Sequence, residues 1–444
     1  DNLPEDSKQV ICSYLTEINL IGDRLTNVTK YRKNKPLIKD IIKRGVGTVF
    51  REDFFDLLDK MQNNKLSYDP VGSAKWCLEH HLGFQKISKI MNDELVKNFM
   101  SISFNKVNVH IKMENILKDV GKTSHDPSKE IARSIVWLQY SLSAIFCPIV
   151  DKIIERLSTL LNEKFILFVG YRPEDLNRFK HLTKNTKIVL EADLEKQDRQ
   201  SDENNRIIEM QFLRLLGVEE EVIDLLEYGM EKWFWKSNNS SGQLSNMQKT
   251  GDPLTTKTNT LRNILIMIDH IYHNNHIINF GFFHGDDNLL GYSDKPNMQN
   301  FGGYAAANFN ISCLYDLSDK VGQFCRFLIL LDNEDVTFHP DVIRLKKRFE
   351  LGSAISKTEE IIKERSLSYS ILIGDNPDTR EIIKQYDTNI ILTKWHDLDK
   401  AIIASSIKHK VSYEQALGYY NELIRMMKKP EFHYKNINII KNVN

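Results

Sequence analysis

The chain lacks most of the features that would place it in a special class, and each absence excludes something. Its five cysteines (Cys12, Cys77, Cys147, Cys313, Cys325) are scattered, with no CxxC pair and no even framework. That excludes a disulfide-stapled secreted scaffold and leads us to expect a reducing compartment. No apolar run approaches the ~18 residues of a membrane-spanning helix, so no direct span is expected. There is no net charge, with 60 Lys and Arg against 60 Asp and Glu. Any nucleic-acid affinity must then come from local basic patches. No internal repeat is visible. The compositional bias of a disordered chain is missing too: 41% of residues are hydrophobic and 27% charged. The first residues, Asp1-Asn2-Leu3-Pro4, are not a signal peptide and carry no Met. The expectation is a piece cut from something longer, with any membrane attachment in other parts or partners. At 444 residues, two or three domains are expected.

Hydropathy patterning divides what is present. Up to about residue 160 the chain reads as helical and mixed. Phe54-Phe55, Leu58 and Met61 have helical spacing, as do Ile149, Ile153, Ile154 and Leu157. Within this part Arg24 to Arg51 holds nine Lys or Arg (24, 30, 32, 33, 35, 39, 43, 44, 51) against Asp40 alone. Such a run is either a solvated face or a phosphate-contacting surface, at even odds. Residues 165–168 and 187–190 read as short buried strands, and Ile207 to Leu226 has helical periodicity. Asn238 to Gly242 is a turn-rich break. Thr256 to Tyr272 reads as a long apolar helix. Ile277 to Phe283 and Asn288 to Gly291 read as strands flanking a tight turn at Gly285-Asp286. Val321 to Leu331 reads as a buried strand region, and the chain from Arg344 onward as helical. The order suggests an α+β core inside helical domains.

Three stretches carry the chemistry. They are Leu-Glu-Ala-Asp-Leu-Glu-Lys-Gln-Asp (Leu190 to Asp198), Thr-Gly-Asp-Pro-Leu-Thr-Thr-Lys-Thr-Asn-Thr (Thr250 to Thr260) and Phe-His-Gly-Asp-Asp-Asn (Phe283 to Asn288). A chain this long contains Gly-Asp-Asp by chance roughly one time in ten from average composition, and alone it is usually a turn. Here it sits between Phe282-Phe283 and Leu289-Leu290, where two adjacent acids repel each other and lose solvent. A cation is their natural compensator. If Val189 to Asp193 is a strand, Asp193 ends it beside this hairpin and Asp198 lies one turn further. Standing alone, that stretch would be solvated acids among Glu191, Glu195, Asp202 and Glu203. Thr255 and Asn259, four apart, share a helix face, and Asn can both donate to and accept from a sugar hydroxyl. The plain reading of that stretch is a helix cap with polar surface residues. Two carboxylate clusters meeting in space can hold two magnesium ions, the arrangement that catalyses in-line phosphoryl transfer. His270, His273 and His276, and Cys77 with His80 and His81, lack four convincing zinc ligands; structural or surface histidines are expected.

Residue by residue, these stretches resemble the viral RNA-dependent RNA polymerases of the alphavirus-like group, with tobamovirus, negevirus and kitavirus replicases as the nearest in character. Asp193-x4-Asp198 is similar to the family's first palm motif. Thr250-Gly251-x3-Thr255-x3-Asn259-Thr260 is similar to its Ser-Gly-x3-Thr-x3-Asn-Thr, and Gly285-Asp286-Asp287 to its catalytic hairpin. The likeness continues at Ser143-Ala144-Ile145-Phe146-x-Pro148, Asn308-Phe309, Lys320 before Phe324-Cys325, and Asp341 to Gly352. It spans about residues 110 to 430. Thr250 replaces the usual Ser, Gln197 a common aromatic, and Gln200-Ser201 the common Ser-Gln.

The resemblance implies a right-hand polymerase fold. Fingers and fingertips would occupy 1–185. A palm of antiparallel sheet plus helices would occupy 186–340, with a fingers insertion near 216–249, and a helical thumb 341–444. It implies RNA-directed RNA synthesis from nucleoside triphosphates with Mg2+, Mn2+ being a possible substitute. Asp193 and Asp286 would bind the metals with Asp287 in support. Asp198, Thr255 and Asn259 would read the ribose 2′-hydroxyl, and Lys320 would act as general acid toward pyrophosphate. Lys112, Lys118, Lys122, Lys129 and Arg133 are candidates for triphosphate and template, with Lys122 and Arg133 chosen. Arg32, Lys33 and Lys35, and Arg344, Lys346, Lys347 and Arg348, are candidates for RNA. Expected partners are RNA template and product, and other replicase domains or proteins such as a helicase and a capping enzyme. The expected location is host cytoplasm, in membrane-associated replication complexes. The rivals are a non-catalytic polymerase-fold RNA-binding scaffold and a reverse transcriptase. The intact Asp193, Asp286, Asp287 and Asn259 weigh against the first, and the missing Tyr-x-Asp-Asp hairpin against the second.

Overall fold

The computed structural model describes residues 7–9, 14–26, 30–80, 105–111, 115–117, 134–137, 140–195, 197–249, 255–333, 335–355 and 358–428. In chain order the elements begin with β1 (Ser7–Gln9), α1 (Tyr14–Arg24), α2 (Ile38–Gly45), α3 (Phe54–Gln62) and α4 (Pro70–Glu79). Next come β2 (Lys106–Ile111), β3 (Asn115–Leu117), β4 (Ser134–Trp137), α5 (Tyr140–Leu160) and β5 (Phe165–Leu167). A 3-10 helix at Pro173–Thr183 leads to β6 (Ile188–Leu194), α6 (Gln197–Gln200), α7 (Glu203–Leu215) and α8 (Glu220–Glu231). Strands β7 (Trp233–Lys236) and β8 (Ser241–Leu244) precede α9 (Thr255–Asn274), the hairpin β9 (Ile278–His284) and β10 (Asp287–Tyr292), and α10 (Phe301–Phe309). Four strands follow: β11 (Cys313–Ser318), β12 (Val321–Phe324), β13 (Phe327–Asp332) and β14 (Asp335–Pro340). Five helices complete the chain: α11 (Val342–Ile355), α12 (Glu359–Ile373), α13 (Pro377–Gln385), α14 (Leu398–His409) and α15 (Tyr413–Met427). The α+β expectation holds.

The central sheet has the order β11-β6-β10-β9-β5, antiparallel except for β5 beside β9. Alternation sorts its side chains. Leu190, Ala192, Leu194, Phe283 and Leu290 join the largest core with Ile264, Leu265 and Ile268 of α9 and Ile145, Ile149 and Leu157 of α5. On the other face Val189, Phe280, Phe282 and Leu289 pack against Phe324, Ile329 and Phe338 of the β12-β13-β14 sheet. The C-terminal helices have their own core around Phe349, Ile382, Ile402, Tyr420 and Leu423. A four-stranded sheet, β4-β2-β7-β8, packs with α1 through Leu20, Val107, Val109, Trp233 and Trp235. Within the part expected to be helical, this sheet is the main departure.

Two further departures have local causes. The periodicity of Ile207 to Leu226 is split into α7 and α8 at Gly217, whose φ is +81° and whose Cβ would stand 2.5 Å from the Met61 carbonyl oxygen. The single strand region expected at Val321 to Leu331 is the β12–β13 hairpin, turned by Cys325 and Arg326 at φ of +48° and +70°.

Arg32, expected among the RNA contacts, is engaged inside the protein. Its side chain is 10% exposed and lies between elements distant in sequence. Nε pairs with Asp202, and Nη2 donates to Asp202 Oδ1 at 2.7 Å and Asn205 Oδ1 at 2.9 Å. Nη1 donates to the carbonyls of Asn308 at 2.6 Å and Asn34 at 3.0 Å. Backbone N–H groups of Tyr31 and Arg32 donate to Asn310 Oδ1, and that of Lys33 to Ala307 O. The segment therefore straps α7 to α10, while Lys33 and Lys35 remain exposed. Arg32→Ala leaves Asp202 without its main cation, so urea unfolding should report a loss of about 3 kcal/mol. Lys33→Ala and Lys35→Ala should stay within about 0.5 kcal/mol of wild type. A wild-type urea midpoint for Arg32→Ala would refute the strap.

Candidate active site

Four residues of α9, the helix running from Thr255, position the site. Asn259, Thr260, Arg262 and Asn263 are all buried, although the helix is otherwise apolar around them. Buried polar groups of this kind persist only with partners. Asn263 Nδ2 donates to the carbonyls of Gly285 (3.2 Å) and Asp287 (3.1 Å), bracketing the hairpin turn. The Gly285 N–H donates to Thr260 Oγ1 at 2.7 Å. Gly285 has φ +58°, a conformation that favours glycine and lets the chain reverse in two residues between His284 and Asp287. Arg262 forms a buried ion pair with Glu209 of α7 and donates to Ser201 Oγ at 3.3 Å.

Asn288 completes the frame. The recorded β10–β6 ladder covers Leu290↔Leu190 to Tyr292↔Ile188. Beyond it the Asn288 carboxamide replaces main-chain pairing: Oδ1 accepts from Ala192 N at 3.1 Å, and Nδ2 donates to Ala192 O at 3.2 Å. Nδ2 also donates to Asn263 Oδ1 at 3.0 Å. One chain of amides thus joins the helix, the hairpin and the strand carrying Asp193.

Asp193, Asp198, Asn259 and Asp286 line a single cavity of about 330 Å3, together with Arg24, Leu194, Glu195, Gln197 and Arg199. Asp198 Oδ1 accepts from Asn259 Nδ2 at 2.9 Å. Asn259 is 8% exposed, and its Oδ1 has no hydrogen-bond partner. Gln197 Nε2 donates to Asn259 O at 3.3 Å and fixes that helix turn from the side. The Thr255 hydroxyl donates to Lys249 O at 2.5 Å and accepts from Gln248 Nε2 at 3.3 Å. It ties the helix start to the preceding segment and is not among the residues lining the cavity. Thr250 and Gly251 lie outside the described residues, as do Lys112, Lys118, Lys122, Lys129 and Arg133.

The electrostatics show strain. Loss of solvent raises the Asp286 carboxyl above its ordinary range, and repulsion from Asp198 and Asp193 adds to it. Asp287 is raised in the same way, by lost solvent and by Asp286, against a hydrogen bond from the Cys325 N–H. Among the described residues no three His, Cys, Asp or Glu side chains stand arranged to hold an ion. The donor chemistry nevertheless fits a hard divalent cation, since Asp193, Asp286 and Asp287 offer only carboxylate oxygens. A cation there would relieve the repulsion that raises Asp286 and Asp287.

Other expected residues lie apart. Antiparallel pairing sets Cys313 against Leu194 and Ser318 against Val189. Lys320, exposed just beyond Ser318, is therefore at the sheet end away from Asp193, on the order of 13 Å or more along the strand. Strand direction carries Lys320 away from Asp193, and Cys313 and Leu314 stand nearest Asp193 on β11. Arg344, Lys347 and Arg348 are half-buried on α11, and Arg344 and Arg348 with Arg326 and Arg365 act on the Tyr369 phenol. Lys346 is engaged by Glu350 at 2.9 Å and Glu422 at 3.3 Å. His270 hydrogen-bonds the Tyr292 hydroxyl at 2.5 Å, and burial pushes its pKa down to about 4. His80 stacks on Trp76. Sequence reasoning placed Thr260 in a motif without a role and missed Arg262, Asn263 and the bridging role of Asn288. The available signals were the four-residue step from Asn259 to Asn263 and the Asn that follows Asp286-Asp287.

A sequence profile of the family described as RNA dependent RNA polymerase matches residues 24–387. The chain is similar to the Polyprotein P1234 of Alphavirus salmon subtype 2, with 24% identity over 246 residues, 54% of this chain and 10% of the relative. It is similar to the Replicase polyprotein 1ab of Beet yellows virus, with 25% identity over 259 residues, 56% of this chain and 8% of the relative. It is similar to the RNA replication protein of Citrus leprosis virus C, with 24% identity over 349 residues, 75% of this chain and 13% of the relative. The match thus spans about a tenth of the length of these relatives.

The raised Asp286 carboxyl yields a test of the site without any activity. In EDTA, its folded pKa lies above the unfolded value of 3.8. Below that value both states are protonated and there is no penalty. As pH rises through the folded pKa, the folded state must carry an unfavourable charge and loses stability relative to the unfolded chain. Asp286→Asn should therefore melt higher than wild type near pH 7, with the gap closing toward about pH 4. Millimolar Mg2+ should stabilise wild type more than the variant. Equal melting of the two proteins across that pH range would remove the strain argument.

Proposed function

The chain belongs to the RNA-dependent RNA polymerase family, and from that premise we propose that it copies an RNA template by divalent-metal-dependent nucleotidyl transfer. The observation that carries the proposal is the single cavity shared by Asp193, Asp198, Asn259 and Asp286. In this reading residues 1–185 are fingers and fingertips, and 186–340 are the palm with a fingers insertion near 216–249. Residues 341–444 are the thumb. The central β11-β6-β10-β9-β5 sheet is the palm floor.

Asp193 and Asp286 would hold Mg2+, with Asp287 beside them. When bound, the metal polarises the reacting phosphoryl group and neutralises its charge. The protein's own contribution is placement. The Asn263–Asn288 amides hold the hairpin and β6 in fixed relation, so the carboxylates need no reorganisation during reaction. Asp198 orients Asn259, and the unpartnered, buried Asn259 Oδ1 is an acceptor waiting for a hydroxyl donor. A ribose 2′-hydroxyl fits that requirement and a deoxyribose cannot meet it. This favours the RNA polymerase reading over a reverse transcriptase. Lys33 and Lys35 are exposed in the N-terminal basic run and remain candidates for the RNA backbone. Because the relatives named above are polyproteins or large replication proteins, we propose that other replicase domains, such as a helicase and a capping enzyme, act with this chain. No described helix is long and apolar enough to cross a membrane. Membrane-associated replication complexes in the host cytoplasm would then recruit it through such partners.

Primer extension on a defined RNA template with four nucleotides tests the proposal. Asp193→Asn and Asp286→Asn should each lower the extension rate by at least ~10²–10³-fold while circular dichroism stays unchanged. Asn259→Ala should reduce the preference for NTP over dNTP by roughly 10-fold or more, the equivalent of one such hydrogen bond. Near-normal extension by either Asp variant would defeat the catalytic assignment, and an unchanged sugar preference in an active Asn259→Ala protein would defeat the ribose reading.

A further inference from the structure

The acidic cavity has a basic wall. Arg24, the last residue of α1, and Arg199 of α6 line the same 330 Å3 space as Asp193, Asp198 and Asp286. Their side chains are 34% and 22% exposed, reachable but partly withdrawn from water. Asp23 serves both: its Oδ2 lies 3.1 Å from Arg24 Nε and its Oδ1 4.0 Å from Arg199 Nη1. One carboxylate shared by two guanidinium groups leaves that wall net positive.

The wall is held at both ends of α1. Near the helix start Glu17, only 3% exposed, is surrounded by donors from the β7–β8 turn. The hydroxyls of Ser237 and Ser240 donate to it, as do Asn239 Nδ2 at 2.7 Å and Asn239 N at 3.3 Å. Burial acts to raise the Glu17 carboxyl, but these donors outweigh it and hold it below its ordinary range, so it stays ionised at neutral pH. Past the helix end, Arg199 Nε donates to Thr26 O at 2.8 Å. A helix anchored in this way presents Arg24 at a fixed place, although it lies about 170 residues from the strand it faces.

We propose that Arg24 and Arg199, which share the cavity with the carboxylates, form a clamp for the polyphosphate of the incoming nucleotide. The inference rests on the polymerase reading of that cavity. A polyphosphate in this space would meet Asp193, Asp198 and Asp286 and is repelled by them unless cations are interposed. Guanidinium groups in the same cavity supply planar paired donors suited to phosphate oxygens. The volume falls within the range of about 300–1,000 Å3 typical of small-molecule sites. The same chemistry could grip an RNA phosphodiester, and the two sources separate experimentally.

The test uses the full chain and two readouts. One is the Kd for MgATP by calorimetry. The other is KM for ATP during extension on a template that calls for A, with the Kd for the primer–template measured alongside. Arg24→Ala and Arg199→Ala should each raise the MgATP Kd and the ATP KM about 10-fold or more, with a smaller change in kcat and no change in primer–template Kd. Lysine at either position should recover part of the loss. Asp23→Asn should lower the ATP KM, because it frees both guanidinium groups; a purely structural Asp23–Arg24 contact predicts that it harms the enzyme as Arg24→Ala does. Unchanged KM and Kd in both alanine variants overturns the clamp, as does a rise in primer–template Kd alone, which would assign the arginines to RNA. If wild type binds MgATP in an Arg24-dependent way yet extends no primer, the clamp stands and the polymerase reading falls. If wild type neither binds nor extends, both fall.

Discussion

The site depends on one constraint: a helix that carries amides and a guanidinium where helices of its kind carry only apolar groups. Asn259, Thr260, Arg262 and Asn263 of α9 each spend a side chain on a different part of the molecule. Their partners are Asp198, the Gly285 N–H, Glu209 of α7, and the turn carbonyls with Asn288. Leaving any of these partners buried and unsatisfied costs about 1–3 kcal/mol, and more for the charged pair. The helix cannot slide or rotate without breaking several of them at once. The distance between the hairpin acids and Asp193 is thus set by a network with no slack, which suits a centre whose chemistry requires fixed charges.

The same network explains how two strands stay close without a complete ladder. Side chains at the end of an antiparallel pair would ordinarily be crowded by main-chain pairing across the gap. The Asn288 carboxamide takes both the N–H and C=O of Ala192 and stands where a backbone would. The strands stay joined and their hydrogen bonds stay satisfied. No other side chain combines one donor and one acceptor at that length except Gln, which is a methylene longer. An Asp at the same position would lose the donor and add a further charge to a group of carboxylates that already repel one another.

Much of this was legible where the cause is local. The hairpin, the long helix and the two short strands followed from apolar runs and a Gly-Asp turn, and the structure places them within a few residues. What failed depended on pairing across long sequence distances. Arg32 looked like one more charge in a basic run because its partner Asp202 lies 170 residues away. Lys320 was assigned to the site by the resemblance alone, and strand direction decides which end of the sheet it reaches. Asn263 received no role, since periodicity cannot distinguish a solvated amide from a buried one. Arg24 carried no motif at all, and only the docking of α1 brings it to the cavity. The family resemblance did find the acids, because their spacing is itself the signature.

A carboxylate-rich sheet face also needs charge from elsewhere, and its sources show why the C-terminal half packs as it does. Asp193, Glu191 and their cross-strand neighbours Leu314 and Asp316 share one face of the sheet. Burial pushes Glu191 up to about 7, and repulsion from Asp316 and Asp287 adds to it. Two forces oppose this: the Lys408 ammonium of α14 and a hydrogen bond from the backbone of Gln323 in β12. Asp287 receives its own N–H from Cys325, at the turn of the same hairpin. The β12–β13 hairpin therefore supplies peptide donors to two acids of one face, and a late helix supplies a cation. Apolar packing of Phe324 and Phe338 on Phe282 would hold that hairpin in many registers. The donors restrict it, because only a placement that sets Gln323 against Glu191 and Cys325 against Asp287 satisfies both carboxylates. The repulsion among these carboxylates is in this way turned into a condition that orders the layer above it.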